Sequence, residues 1–189
     1  ILKIYGLKSF GGILSQTAAS VDAYKLAHEL IHYNVNRGMT VFDQTELKDF
    51  DFSAEKTIIT SSEGHKISCK KVIFCSGFES TKMIKEDIAK LFYTYACVSE
   101  KEIKIPKKLK NTLVWDTNEP YLYMRTTDDG RLLVGGEDSS VNFPFFQQQI
   151  KESKTSKLIQ TLEEIMPDIK FIEDFSWGGT FGSTKDGLP

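Results

Sequence analysis

The stretch from Tyr121 to Gly135 constrains the fold of this chain more than any other. Two runs, Tyr121 to Thr127 and Arg131 to Gly135, flank the turn Asp128-Asp-Gly130. Strand side chains alternate between faces with a period of two, and an Asp-Gly turn between two such runs is a strong hairpin signal. Further short strands are predicted at Tyr93 to Ser99, Thr112 to Asp116 and Phe171 to Ser176. Helices are predicted at Thr81 to Phe92 and at Phe146 to Met166, the second stopped by Pro167, which cannot continue a helix. Residues 81–176 therefore read as an antiparallel sheet with flanking helices.

The first 80 residues have another texture. A helix is predicted from Val21 to Arg37, with Tyr24, Ala27, Leu30, Ile31 and Val35 as its apolar stripe, Asp22 in its first turn and Gly38 as its C-cap. A strand at Met39 to Phe42, continuing towards Leu47, would make this the second half of a βαβ unit. Phe50 to Phe52, Lys56 to Thr60 and His65 to Cys69 read as a polar meander turning at Ser61-Ser-Glu-Gly64. Val72-Ile-Phe-Cys75 is a continuous apolar run, expected to be a strand buried on both faces as in a parallel sheet, and it ends at Ser76-Gly77. The expected class is α+β or α/β: a partial α/β layer over residues 1–80, then the antiparallel domain.

Composition excludes several functions. Charged residues make up 26% and the net charge is −2, so no basic footprint for nucleic acid is present. No apolar run approaches the roughly 20 residues that span a bilayer. Cys69, Cys75 and Cys97 are odd in number and have no CxxC spacing, which points to a reduced, cytoplasmic compartment and to buried small hydrophobes. The start, Ile1-Leu-Lys-Ile-Tyr-Gly, has neither an initiator Met nor the regions of a signal peptide. The chain is therefore expected to be a piece of a longer protein.

His28-Glu-Leu-Ile-His32 matches HExxH on a predicted helix. Two His at i and i+4 can hold zinc with the Glu as general base, which would make a metallohydrolase. The extended zincin pattern needs Gly at 35 and His at 38, where this chain has Val35 and Gly38. A helix surface with two solvated histidines explains the pair without a metal, and no metal is expected there. A β-rich binding module without catalysis is the other alternative.

Three further segments point elsewhere. Lys70-Lys-Val-Ile-Phe-Cys-Ser-Gly77 reads as a strand ending in a small residue and Gly, which would let a nucleotide pass over the edge of a sheet. Glu119 to Glu137 carries Tyr121, Tyr123 and Arg125 on one face of a strand. The last segment, Trp177-Gly-Gly-Thr-Phe-Gly-Ser-Thr-Lys-Asp-Gly-Leu-Pro189, packs four glycines among aromatics, and glycine lets backbone approach a ligand closely. With Val21 to Leu47, the order and spacing of these segments resemble the FAD-dependent oxidoreductases of the D-amino-acid oxidase and glycine oxidase (DAO) superfamily.

The resemblance implies an FAD-dependent oxidoreductase that oxidises a small amine or amino-acid-like substrate by hydride transfer. It implies a partial FAD-binding domain over residues 1–80, a substrate domain over 81–176, and a segment over 177–189 that returns to the flavin. It implies FAD contacts at Leu47, Cys75, Ser76, Gly77, Lys185, Asp186, Gly187, Leu188 and Pro189, and catalytic roles for Tyr121, Tyr123 and Arg125. Two departures stand out. The GxGxxG fingerprint is missing from these residues, so weak or no FAD binding is expected of this chain alone. Amino-acid oxidases commonly clamp the substrate carboxylate with an Arg in the segment matching Trp177 to Gly182, where this chain has Phe181 and where Arg125 is the available substitute.

Overall fold

The Asp128-Asp-Gly130 turn forms as its residues dictate. Gly130 takes φ +84°, a left-handed conformation open to glycine, and its N–H donates to Thr127 O at 3.0 Å. The Thr127 hydroxyl donates to Asp129 Oδ1 at 2.6 Å and accepts from the Arg131 N–H at 3.0 Å, locking the corner. The computed structural model, which describes residues 1–53, 55–101, 103–140 and 147–186, divides into two compact units. One comprises Ile1–Gln16 with Gly77–Pro189, the other Thr17–Ser76.

The first unit is built on the predicted hairpin. Strands β6 (Leu122–Thr126) and β7 (Leu132–Ser140) pair antiparallel, with Thr126 opposite Leu132. Together with β4 (Ala89–Ser99), β5 (Val114–Trp115) and β8 (Glu173–Thr184) they form a five-stranded sheet of order β5-β6-β7-β4-β8. Helix α3 (Gln147–Ile165) covers one face, its Leu158 and Leu162 joining Tyr95, Cys97, Leu122, Met124, Leu132 and Val134 in the core. Each such fully buried Leu contributes about 1.5–3 kcal/mol. The short N-terminal helix α1 (Leu2–Tyr5) leads Leu7 into the same core. Residues opposite one another in the ladder share a face. The face away from α3 therefore carries Tyr123, Arg125, Gly135, Ala96, Trp177 and Phe181.

The second unit holds helix α2 (Ala23–Val35) and a three-stranded meander, β1 (Leu47–Phe52), β2 (Thr57–Ser61) and β3 (Lys66–Cys69). Asp22 caps α2 by accepting from the Lys25 N–H at 3.1 Å, and Gly38 follows the helix at φ +98°. Gly64, at φ +86°, turns β2 into β3.

Three expected elements are corrected. Met39 to Phe42 and Val72 to Cys75 are not strands. No described residue pairs with either in a ladder, and a strand needs its backbone groups partnered. Ile73 is 85% and Phe74 39% exposed, so the doubly buried strand is absent from these residues. Thr81 to Phe92 is not a helix: a 3-10 turn spans Gly77–Lys82 and β4 begins at Ala89. The long antiparallel ladder between β4 and β8, from Ala89 opposite Thr184 to Ser99 opposite Glu173, overrides the weak local helix preference. The architecture remains mixed α and β, with antiparallel sheets and few helices.

Candidate functional site

The site is set by a one-residue bulge in β7. From Tyr93 to Tyr95, β4 advances two residues, while its partners in β7 run three, from Ser139 to Gly136. An extra residue in one strand flips the facing of everything beyond it. Before the bulge, even-numbered Leu132 and Val134 face α3. After it Glu137 does, and its carboxylate takes the Lys154 ammonium of α3 at 2.8 Å. Glu137 itself sits at φ +55°, a strained conformation for a residue with a side chain. At neighbouring Gly136, φ +140°, an added Cβ would run into the Tyr121 carbonyl oxygen. Asp138 is thereby turned to the outer face.

Tyr121 meets it there. The Tyr121 hydroxyl donates to Asp138 Oδ2 at 2.7 Å, and the rings of Tyr121 and Tyr123 lie 6.2 Å apart. Tyr123 stretches across Gly135, where no Cβ could fit. Burial, then the hydrogen bond to Asp138 and its charge, push the Tyr121 phenol well above its usual pKa. Burial first, with Asp138 adding, also raises Tyr123. Both phenols therefore stay protonated through the neutral range and serve as hydrogen-bond donors, not bases.

Tyr121 and Asp138 border an open groove of about 340 Å³, and Tyr123 lies outside its lining. Its lining includes Phe92, Glu119, Tyr121, Asp138, Ser139 and Phe181. The Phe92 and Phe181 rings lie 5.8 Å apart at 26°, forming an apolar wall. Ser139 is held from the other side by Tyr95, hydroxyl to hydroxyl at 3.2 Å. Asp138 Oδ1 is shielded from solvent and has no hydrogen-bond partner.

Of the three residues expected to be catalytic, Tyr121 and Tyr123 come together. Arg125 lies further along β6 opposite Leu133, outside the groove lining and half-buried. Asp138, Glu119 and Phe92 were missed. Gly135-Gly136 inside a strand was the available signal, because paired glycines there mark a bulge or a close backbone approach.

The expected FAD contacts fall in both units. Leu47 opens β1 opposite Ser61, and Cys75 and Ser76 are exposed outside any strand; all three belong to the unit Thr17–Ser76. Gly77, at φ +59° with open space where a Cβ would stand, begins the other unit's 3-10 turn, and Lys185 and Asp186 are exposed just after β8. Gly187, Leu188 and Pro189 lie outside the described residues. Gly179, on the outer sheet face, has nothing within 4 Å of an added Cβ.

His28, Glu29 and His32 sit on exposed turns of α2, with the Tyr24 ring 4.4 Å from that of His28. Among the described residues no group of three or more His, Cys, Asp and Glu is placed to hold a metal ion. Cys97 is a buried thiol of the core, pushed up to about 12 chiefly by burial, whereas Cys75 is exposed. Among the described residues no helix is long and apolar enough to cross a membrane.

A family model for FAD dependent oxidoreductases (DAO) matches residues 2–189. No curated protein matches the chain. Glycine oxidase from Geobacillus kaustophilus is a similar solved structure, with TM-score 0.69 and 20% identity over 90% of this chain and 45% of its own. L-proline dehydrogenase from P. horikoshii gives TM-score 0.65 and 16% identity over 89% of this chain and 46% of its own. Glycerol-3-phosphate dehydrogenase from Bacillus halodurans, solved with FAD, gives 0.65 and 14% over 85% and 35%. At such identities the likeness is one of fold. The chain spans less than half the length of each of these structures.

Proposed function

The chain belongs to the FAD-dependent oxidoreductases of the DAO family, and from that premise we propose that the whole protein oxidises the C–N bond of a small amine or amino-acid-like molecule. Bound FAD would supply the hydride acceptor. Residues 1–80 contribute to the cofactor domain, 81–176 to the substrate domain, and 177–189 to the return towards the flavin. The observation that carries the reading is the family match, which runs the length of the chain.

The chain's own residues bind and orient. Leu47, Cys75, Ser76, Gly77 and Lys185 to Pro189 would hold the cofactor, largely through backbone groups. Tyr121 and Tyr123 wall the substrate and offer it protonated phenols. A neutral amine gives up hydride without a strong base, which suits a face whose phenols resist ionisation. Arg125, whose side chain makes no hydrogen bond or ion pair among the described residues, is the candidate cation for an acidic substrate group.

The test is anaerobic mixing of the flavin-loaded whole protein with a panel of primary and secondary amines and amino acids, following flavin absorbance. Bleaching by at least one amine or amino acid is expected. A protein that binds FAD and is bleached by none, but is bleached by alcohols or hydroxy acids, would overturn the C–N assignment.

A further inference from the structure

We infer that Asp138 is a positioning residue for Tyr121. It takes the one phenolic proton and leaves the phenol oxygen as an acceptor for a substrate N–H, so the oxidised nitrogen is that of a primary or secondary amine and not of a tertiary one. The substrate assignment rests on the flavoenzyme reading above. The hold of Asp138 on Tyr121 does not.

The bulge supplies that hold. Glu137 and Asp138 are successive carboxylates on opposite faces of β7. Glu137 is pinned from the α3 side by the Lys154 ammonium at 2.8 Å, which also stands 6.0 Å from the centre of the Tyr95 ring. The Tyr95 hydroxyl in turn meets that of Ser139 at 3.2 Å. The strand is therefore fastened on both sides of Asp138, at the residue before it and the residue after. Glu137 keeps its left-handed φ of +55°, and such a conformation persists only where the surroundings over-determine it. What they fix is the place of Asp138 against Tyr121.

Asp138 acts through Tyr121 and not on a ligand. Among the described residues the Tyr121 hydroxyl is the one hydrogen-bond partner of its carboxylate, at Oδ2, while Oδ1 is shielded from solvent without a partner. Were Tyr121 to turn away, a half-buried charge would lose that bond, which is costly. A phenol has one proton and two lone pairs, and an ionised carboxylate only accepts. The proton of the 2.7 Å bond therefore belongs to Tyr121 and points at Asp138. Burial first, then this bond, resist its loss. Tyr121 lines the groove, and what it has left for a ligand there is a lone pair. Donating to an anion makes that oxygen a better acceptor, because hydrogen bonds in series polarise one another.

A ligand at this oxygen must donate. In its reacting neutral form a primary or secondary amine has an N–H, and a tertiary amine has none. As hydride leaves the neighbouring carbon for the flavin, the nitrogen lone pair becomes the second bond of C=N and the nitrogen becomes cationic. Its N–H then donates more strongly. The bond to Tyr121 tightens in the transition state and acts on kcat more than on KM.

Two measurements test the proposal. In the 189-residue chain, the carbon-13 resonance of Tyr121 Cζ reports the donated bond without any flavin. It should lie downfield of that of Tyr24, which is 74% exposed, and should move upfield in Asp138→Asn while Tyr24 stays unchanged. A Tyr121 resonance matching that of Tyr24, or one indifferent to Asp138→Asn, would overturn the positioning role. In the flavin-loaded whole protein, N-methylbutylamine should reduce the flavin at least about tenfold faster at saturation than N,N-dimethylbutylamine. Tyr121→Phe should slow the secondary amine about tenfold more than the tertiary one, in kcat and not in KM, whereas exclusion by size would survive that change. Equal rates for the two amines in the parent, or a preference kept in Tyr121→Phe, would overturn the substrate assignment. Should Asp138→Asn fail to fold, the parent's Tyr121 resonance and Tyr121→Phe decide. Reduction by alcohols and by no amine would instead sink the C–N reading and the amine class with it, and the Cζ resonance would still decide the hold of Asp138 on Tyr121.

Discussion

Residue by residue, the site turns on Gly136. Its φ of +140° is open to glycine and rare for other residues, and a methyl group would strike the Tyr121 carbonyl oxygen. Gly136→Ala must strain the backbone or push β6 away, at a cost of about 2 kcal/mol or more. Gly179→Ala meets nothing within 4 Å and should change stability by less than about 0.5 kcal/mol. Urea denaturation of the two variants checks the contrast, and equal costs would contradict the bulge. The same glycine explains what the sequence concealed. Strict alternation from Leu132 puts Asp138 on the α3 side, because the bulge that turns it outward has no period of its own. The facing of Tyr123 and Arg125 was legible because β6 pairs with β7 without irregularity from Leu122 to Thr126.

Among the elements, those that find their partners within these residues were legible. The hairpin of β6 and β7 declares itself in a turn and two alternating runs, and the meander of the second unit does the same. Val72 to Cys75 and Met39 to Phe42 have a strand's composition without a ladder to join, and composition cannot supply one. The stripe of α2 is a related case: Tyr24, Leu30, Ile31 and Val35 are spaced as predicted, yet all are exposed. Helix α3 has a weaker sequence pattern and the stronger packing. Leu162 is fully buried, so Leu162→Ala should cost about 2–5 kcal/mol from lost transfer energy and the cavity left behind. Leu30→Ala, at a site 52% exposed, should cost under about 1 kcal/mol. Chemical denaturation measures both. A Leu30→Ala penalty matching that of Leu162→Ala would mean that the stripe of α2 is covered in solution.

For the molecule as a whole, the decisive quantity is how much of the flavin's grip these 189 residues supply. The contacts proposed at Leu47, Cys75 to Gly77 and Lys185 to Pro189 are those that these residues would supply. The GxGxxG turn, which would set the pyrophosphate on a helix N-terminus, does not occur in the sequence. Each charge-assisted hydrogen bond of that kind contributes about 1.5–3 kcal/mol. Lacking about four of them removes roughly 6–12 kcal/mol, or about four to nine decades of affinity. FAD titrated into the 189-residue chain should therefore bind too weakly to measure by fluorescence quenching, while the whole protein should bind it tightly. Micromolar binding by the chain would place the pyrophosphate contacts within these residues and overturn the proposed set of cofactor contacts. A whole protein that fails to bind FAD at all would instead leave the family's fold without its chemistry, and the outer face of the sheet, with Tyr121, Asp138 and the two phenylalanines, would have to be read as a binding surface alone.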